Sequence, residues 1–180
     1  MVEYDNLNGQ FGLTIVNETR VRKEAMVNCF VDAKAIEALC KYFMKTKDPM
    51  VVEIYSFQHL KPLPDKEPLG SGAHKYSTSY GYFYEMKRLA KLCNKEKVLI
   101  EHLAYLNRIK LDHNERNHYE NDYPKLVEFM MEVFRLDRYH DLHDGNFLKD
   151  EFGQYKLIDI EGFINYGKTL SDPCYDWIIR

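Results

Sequence analysis

The sequence predicts an α+β fold with a small antiparallel sheet in its first half and a reduced helical second half. Three observations predict it. Strand-like stretches fall at 13–16, 19–23, 50–57 and 80–86, interrupted by one amphipathic helix. Helical periodicity dominates residues 95–110 and the stretch after Pro124. A short hairpin pattern then follows within 147–158. Runs of strands followed by runs of helices are the mark of an α+β chain. The division expected is 1–88 for the sheet and 89–180 for the helices.

Composition narrows the class. Of 180 residues, 45% are apolar, enough for a core, and 29% are charged, suiting an aqueous surface. No apolar run reaches the roughly 20 residues of a bilayer span, and Met1-Val2-Glu3-Tyr4-Asp5 lacks the layout of a signal peptide. A cytoplasmic protein without membrane partners is expected. The net charge of −3 does not point to nucleic acid. Cys29, Cys40, Cys93 and Cys174 are scattered and form no Cys-x-x-Cys pair, so they read as reduced thiols.

Taken in order, Asn8-Gly9-Gln10-Phe11-Gly12 precedes the β-branched Leu13-Thr14-Ile15-Val16. Asn17-Glu18 can turn, and Thr19-Arg20-Val21-Arg22-Lys23 alternates as a second strand. Backbone amides near Gly9 and Gly12 could approach phosphate oxygens, with Lys23 meeting them from the facing strand. Two glycines in six residues equally make an ordinary turn. Asp32 is expected to cap a helix over about 33–46, with Ala35, Ile36, Leu39, Cys40 and Phe43 as its apolar stripe. Glu37 on that helix is either a partner for a strand lysine or a solvated residue. Asp48-Pro49 stops the helix, and Met50 to Phe57 reads as a strand.

Residues 61–79 form a long loop rich in Pro, Gly and Ser/Thr. Its Gly70-Ser71-Gly72, with Lys87 and Glu101, offers a rival phosphate site that leaves the first 60 residues without a role. Tyr80 to Met86 is an aromatic strand. Val98, Leu99, Leu103, Leu106 and Ile109 make most of one helix face. The polar 111–123 stretch holds His113 and His118, whose spacing lacks the further ligands zinc needs. Pro124 opens a helix whose Leu126, Phe129, Met130, Val133 and Phe134 bury a broad face.

Residues 139–163 carry the chemistry. Phosphoryl transfer needs positioning, cations against phosphate charge, and a carboxylate to orient the attacking hydroxyl. Asp141 suits the carboxylate role. Asn146 and Asp159 are oxygen donors of the kind Mg²⁺ takes. A hairpin between them, turning at Asp150-Glu151-Phe152-Gly153, would bring both to one end of a ladder. His143 is expected to orient the loop backbone. Reading His140-x-x-His143 with Asp141 and Asp144 as a metal cluster would leave Asn146 and Asp159 without roles.

His140-Asp141-Leu142-His143-Asp144-Gly145-Asn146 resembles the H-x-D-x-x-x-x-N loop of the protein-kinase superfamily, shortened before the Asp. His143 and Gly145 make it similar to aminoglycoside and choline phosphotransferases, as does Asp172-Pro173-Cys174-Tyr175-Asp176. Ile158-Asp159-Ile160-Glu161 resembles that branch's D-F-G element. The order of the whole 7–163 stretch is similar to the early serine/threonine protein kinases of T7-like bacteriophages. This resemblance implies a minimal two-lobed protein-kinase-like fold, an ATP- and Mg²⁺-dependent kinase, and host proteins as substrates. It implies that Gly9, Gly12 and Lys23 bind nucleotide, Glu37 supports Lys23, Asp141 is the catalytic base, and Asn146 and Asp159 hold metal. The chain departs from the pattern in its two glycines, in Glu161, and in the 21 residues after Asp159, too few for an activation loop and a large helical lobe. A small-molecule phosphotransferase and a non-catalytic kinase-fold binder of a host protein are the alternatives.

Overall fold

The computed structural model describes residues 12–67, 79–109 and 119–179. These build a mixed α+β chain with a four-stranded antiparallel sheet, a two-stranded hairpin and four α-helices. Contacts group it into two compact units. One is Met1–Asp48, Val52–Arg88 and Ile164–Arg180; the other is Pro49–Val51 and Leu89–Phe163. No described helix is long and apolar enough to cross a membrane.

The first unit is the sheet unit. Its strands are β1 (Gly12–Ile15), β2 (Arg20–Val27), β3 (Ile54–His59) and β4 (Tyr80–Lys87), in the order β1-β2-β4-β3. Asn17 makes the first turn by accepting hydrogen bonds from the Thr19 amide at 2.9 Å and the Thr19 hydroxyl at 3.0 Å. Strand alternation puts Val21, Lys23, Ala25 and Val27 on the buried face of β2, and Tyr80, Tyr82, Tyr84 and Met86 on that of β4. Lys23 sits opposite Tyr84 in register. Its neighbour Arg22 faces outward and pairs with Glu85 at 2.9 Å. β2 runs four residues beyond the Lys23 end expected from alternation, because Tyr80 to Phe83 continue to pair with it.

Helix α1 (Phe30–Thr46) buries Ala33, Ile36, Leu39, Cys40 and Phe43 at its core face. It begins earlier than expected, and Asp32 is not its cap. Cys29 holds the extended capping backbone without a side-chain bond. Asp32 lies inside the first turn, where a carboxylate complements the helix dipole, and accepts the Gly167 amide at 2.8 Å. Lys47, at φ 50°, closes the helix by donating to the Phe43 carbonyl at 3.0 Å. The final segment returns to this helix: Trp177 in α4 (Asp176–Ile179) packs edge-on to Tyr42, ring centres 5.2 Å apart.

The second unit contains helices α2 (Asn94–Ile109) and α3 (Pro124–Leu136) and the hairpin of β5 (Phe147–Lys149) with β6 (Tyr155–Leu157). On α2 the buried face is Leu99, Ile100, Leu103, Ala104 and Leu106, with Glu96. Val98 and Ile109, expected inside, are exposed, since they fall on the opposite flank. Glu96 is 1% exposed. It accepts the Cys93 amide (2.8 Å), as a capping-box glutamate does, and also Lys149 Nζ (2.8 Å) and the Tyr155 hydroxyl (2.7 Å). One buried carboxylate thus ties the start of α2 to the hairpin. The hairpin turn is closed by Asp150, whose Oδ1 accepts the Phe152 and Gln154 amides, with Gly153 at φ 74°.

The expected strand over 50–57 divides. β3 starts only at Ile54, whereas the Met50 carbonyl accepts the Leu157 amide at 2.8 Å and Val51 bridges Leu157 in parallel. Ala90 pairs with Lys149 on the other strand of the hairpin. Both edges of this two-stranded ladder are therefore covered by backbone, which a lone hairpin needs in water.

Candidate active site

The loop between α3 and β5 is where the second unit concentrates its polar chemistry. Asp137, at φ 49°, ends α3. Tyr139 then turns inward, and Asp141 stands more than half exposed by side chain. A short 3₁₀ turn, Asp144–Asn146, carries the chain into β5. His143 caps that turn: its Nδ1 accepts the Gly145 amide at 3.2 Å. Nδ1 as acceptor leaves the ring hydrogen on Nε2, which faces Asp141 Oδ2 at 3.4 Å. The orienting role expected of His143 takes this form. The Asp141 carboxylate beside it raises the imidazole pKa; burial opposes this, and the charges of Asp159 and Asp144 add to it.

Asn146 is 5% exposed. Its Nδ2 donates to both the backbone carbonyl and Oδ2 of Asp141, each at 2.9 Å. Two oxygens on that side require the amide nitrogen there, so the Asn146 Oδ1 faces the other way and can serve as a ligand. Across the ladder Phe147 pairs with Leu157, and the Asn146 carbonyl accepts the Ile158 amide at 3.0 Å. That register puts Asp159 one residue past the partner of Asn146. The Asp159 Oδ1 accepts the Glu161 amide at 3.1 Å, and a 3₁₀ turn over Ile160–Phe163 follows. Asp159 and Glu161 are both buried.

Among the described residues no three His, Cys, Asp or Glu side chains gather as a metal-holding group. Mg²⁺ does not require one: it binds through one or two protein oxygens and keeps waters and substrate phosphates as its other ligands. The Asn146 amide and Asp159 carboxylate fit that demand in type and position. The residues around them fit as well, since a buried phenol with no hydrogen-bond partner lies there. Tyr139 Oη is that group. Burial pushes its pKa well above the ordinary value, followed by the charges of Asp159, Asp141 and Glu161. The Asn146 amide works the other way without reaching hydrogen-bonding geometry. A buried polar group left unpaired costs about 1–3 kcal/mol.

The turn after Asp159 is locked onto this tyrosine. The His140 amide donates to the Gly162 carbonyl at 2.7 Å. The Tyr139 ring lies 4.8 Å centre to centre from Phe163 and edge-on to Phe147. A Cβ on Gly162 would collide with the ring. From α2, Glu101 accepts the Asp144 amide at 2.7 Å and Lys97 lies 3.8 Å from the Asp144 carboxylate. Tyr139 and Glu101 hold this loop through contacts that sequence spacing does not display. Glu101, offered by the sequence as a partner for Lys87, instead accepts the Asp144 amide. The small Gly162 three residues after Asp159 was the available signal.

Of the nucleotide residues expected in the first half, Gly12, Lys23 and Glu37 lie in the sheet unit. Gly9 falls outside the described residues, as do Gly70-Ser71-Gly72, His113 and His118. Gly12 starts β1, with open space around a would-be Cβ. Lys23 is buried on the inner face of β2, its Nζ 5.8 Å from the Tyr84 ring centre. Glu37 is held by Lys41 Nζ at 2.6 Å and His59 Nε2 at 3.1 Å. Those are its partners in the structure, and the Lys23–Glu37 pair implied by the kinase resemblance is not among them. Burial raises the Glu37 carboxyl, and Lys41 and His59 outweigh it, leaving the pKa lowered. Compared with known proteins, the chain matches no family model and no curated protein at a significant level.

Proposed function

We propose that this chain is an ATP- and Mg²⁺-dependent phosphotransferase of minimal two-lobed protein-kinase-like fold, acting on serine or threonine hydroxyls of proteins. The observation that carries the reading is the fixed Asp141. Asn146 binds both its carbonyl and its carboxylate, while more than half of the Asp141 side chain faces solvent. A carboxylate held by Asn146 and exposed at the surface can orient an attacking hydroxyl and take its proton. The hairpin register supports the same reading by bringing Asn146 and Asp159 to one end of the ladder. Mg²⁺ bound with ATP would supply charge neutralisation at the phosphates, held by Asn146 and Asp159. Lys23 is the cation proposed for the phosphates.

Bacterial host proteins are the acceptors this reading favours, on the strength of the resemblance to the phage kinases. Incubating the chain with γ-labelled ATP and bacterial lysate tests the acceptor class. Labelled protein bands support the proposal, and label confined to small metabolites transfers it to the aminoglycoside-kinase-like alternative. One observation favours a second reading, a non-catalytic binder of a host protein: Glu37 is engaged by Lys41 and His59.

A further inference from the structure

The Tyr139 hydroxyl is the one group of this cluster whose position serves neither packing nor any hydrogen bond. The residue is 5% exposed, and its ring already fills the space between Phe147, Phe163 and Gly162. Phenylalanine would fill that space equally well. The hydroxyl adds a buried oxygen with no hydrogen-bond partner among the described residues, near Asn146 and under the charges of Asp159, Asp141 and Glu161. Carboxylates can accept a phenolic hydrogen, yet none is positioned to do so. A hydroxyl also has two lone pairs, and water bound to a divalent cation is a strong donor to such an oxygen.

We infer that Tyr139 is a positioning residue whose hydroxyl completes the hydrogen-bonding shell of a hydrated divalent cation held by Asn146 and Asp159. It thereby couples cation occupancy to the turn over Ile160–Phe163, which packs on the same ring. This rests on the phosphotransferase reading and adds the group that senses the cation. Outer-shell partners of this kind govern metal affinity by about 10–100-fold.

The test is Mn²⁺ titration followed by electron paramagnetic resonance, with and without saturating ADP, on the full chain as wild type, Tyr139→Phe and Asp159→Asn. Thermal melting of the cation-free proteins runs beside it. Tyr139→Phe is expected to melt at or above the wild-type temperature without cation, because the ring is kept and an unpaired buried hydroxyl is lost. Its Mn²⁺ affinity is expected to fall about tenfold, and that of Asp159→Asn to fall further. Equal Mn²⁺ affinity in Tyr139→Phe and wild type overturns this inference alone. A lower cation-free melting temperature with unchanged affinity also overturns it, and identifies a buried structural water as the partner. Absence of Mn²⁺ binding by wild type, with or without ADP, removes the metal site and this inference together.

Discussion

Gly162 is the residue at which a single methyl group tests the packing of the site. Its backbone is not in the left-handed region, so alanine brings no dihedral strain. What it brings is a carbon that collides with the Tyr139 ring, itself wedged against Phe163. Gly162→Ala is expected to destabilise by about 1–3 kcal/mol, the usual cost of overpacking, measured by denaturant unfolding. In a Tyr139→Ala background the same change should cost much less, since contacting residues are not additive. Equal costs in both backgrounds would disprove the wedge. Gly145 behaves differently, because its Cβ would meet the His143 ring at 3.0 Å, a side chain that can turn away. Gly145→Ala should therefore fold with near wild-type stability but lose the Nδ1 contact that orients the loop. Nuclear magnetic resonance of the His143 ring nitrogens would report this as a change in tautomer.

At the scale of elements, Glu96 fastens α2 to the hairpin that carries Asn146 and Asp159. Burial pushes its carboxyl up, but Lys149, the Cys93 amide and the Tyr155 hydroxyl together hold it below the ordinary value of 4.5. A depressed folded-state pKa contributes stability above the unfolded value that is lost as pH falls through the folded one. Glu96→Gln should therefore lower stability by about 1–3 kcal/mol at pH 7. The gap to wild type should close as pH drops below about 4.5. A gap independent of pH would mean that shape, not charge, is what Glu96 supplies.

Most elements were legible in the sequence because they follow local pattern. The Leu126, Phe129, Met130, Val133 stripe gives α3, and the Asp150–Gly153 turn gives the hairpin. What was not legible depends on partners distant in sequence. Asp32 looked like a cap, but its bond runs to Gly167, 135 residues away. Met50-Val51 read as the start of a strand, but Leu157 draws them to the hairpin. Val98 and Ile109 matched the helical period, yet which flank of α2 is covered depends on tertiary contacts. In the site, the Asp141, Asn146 and Asp159 spacing was visible as a motif, whereas the Tyr139–Gly162 contact needs three-dimensional proximity that no spacing rule encodes.

For the molecule as a whole, the proposed transfer chemistry lies in the 139–163 segment, and the cation proposed for the phosphates is Lys23. Lys23→Met should keep the sheet, since the position is buried among Val21 and Ala25. It should reduce the thermal shift that Mg-ATP produces; an undiminished shift would remove Lys23 from the nucleotide site. The central claim is that Asp141 drives phosphoryl transfer, and it is tested most directly by measuring transfer from γ-labelled ATP to bacterial proteins with purified wild type, Asp141→Ala and Asp159→Asn. Wild type should label protein in a Mg²⁺-dependent manner. Both variants should melt near the wild-type temperature; Asp141→Ala should lose at least about 100-fold in rate, the lower end of what a positioned proton acceptor contributes, and Asp159→Asn should lose activity as cation binding weakens. Labelling by Asp141→Ala at the wild-type rate, or none by wild type under any cation, would contradict the account.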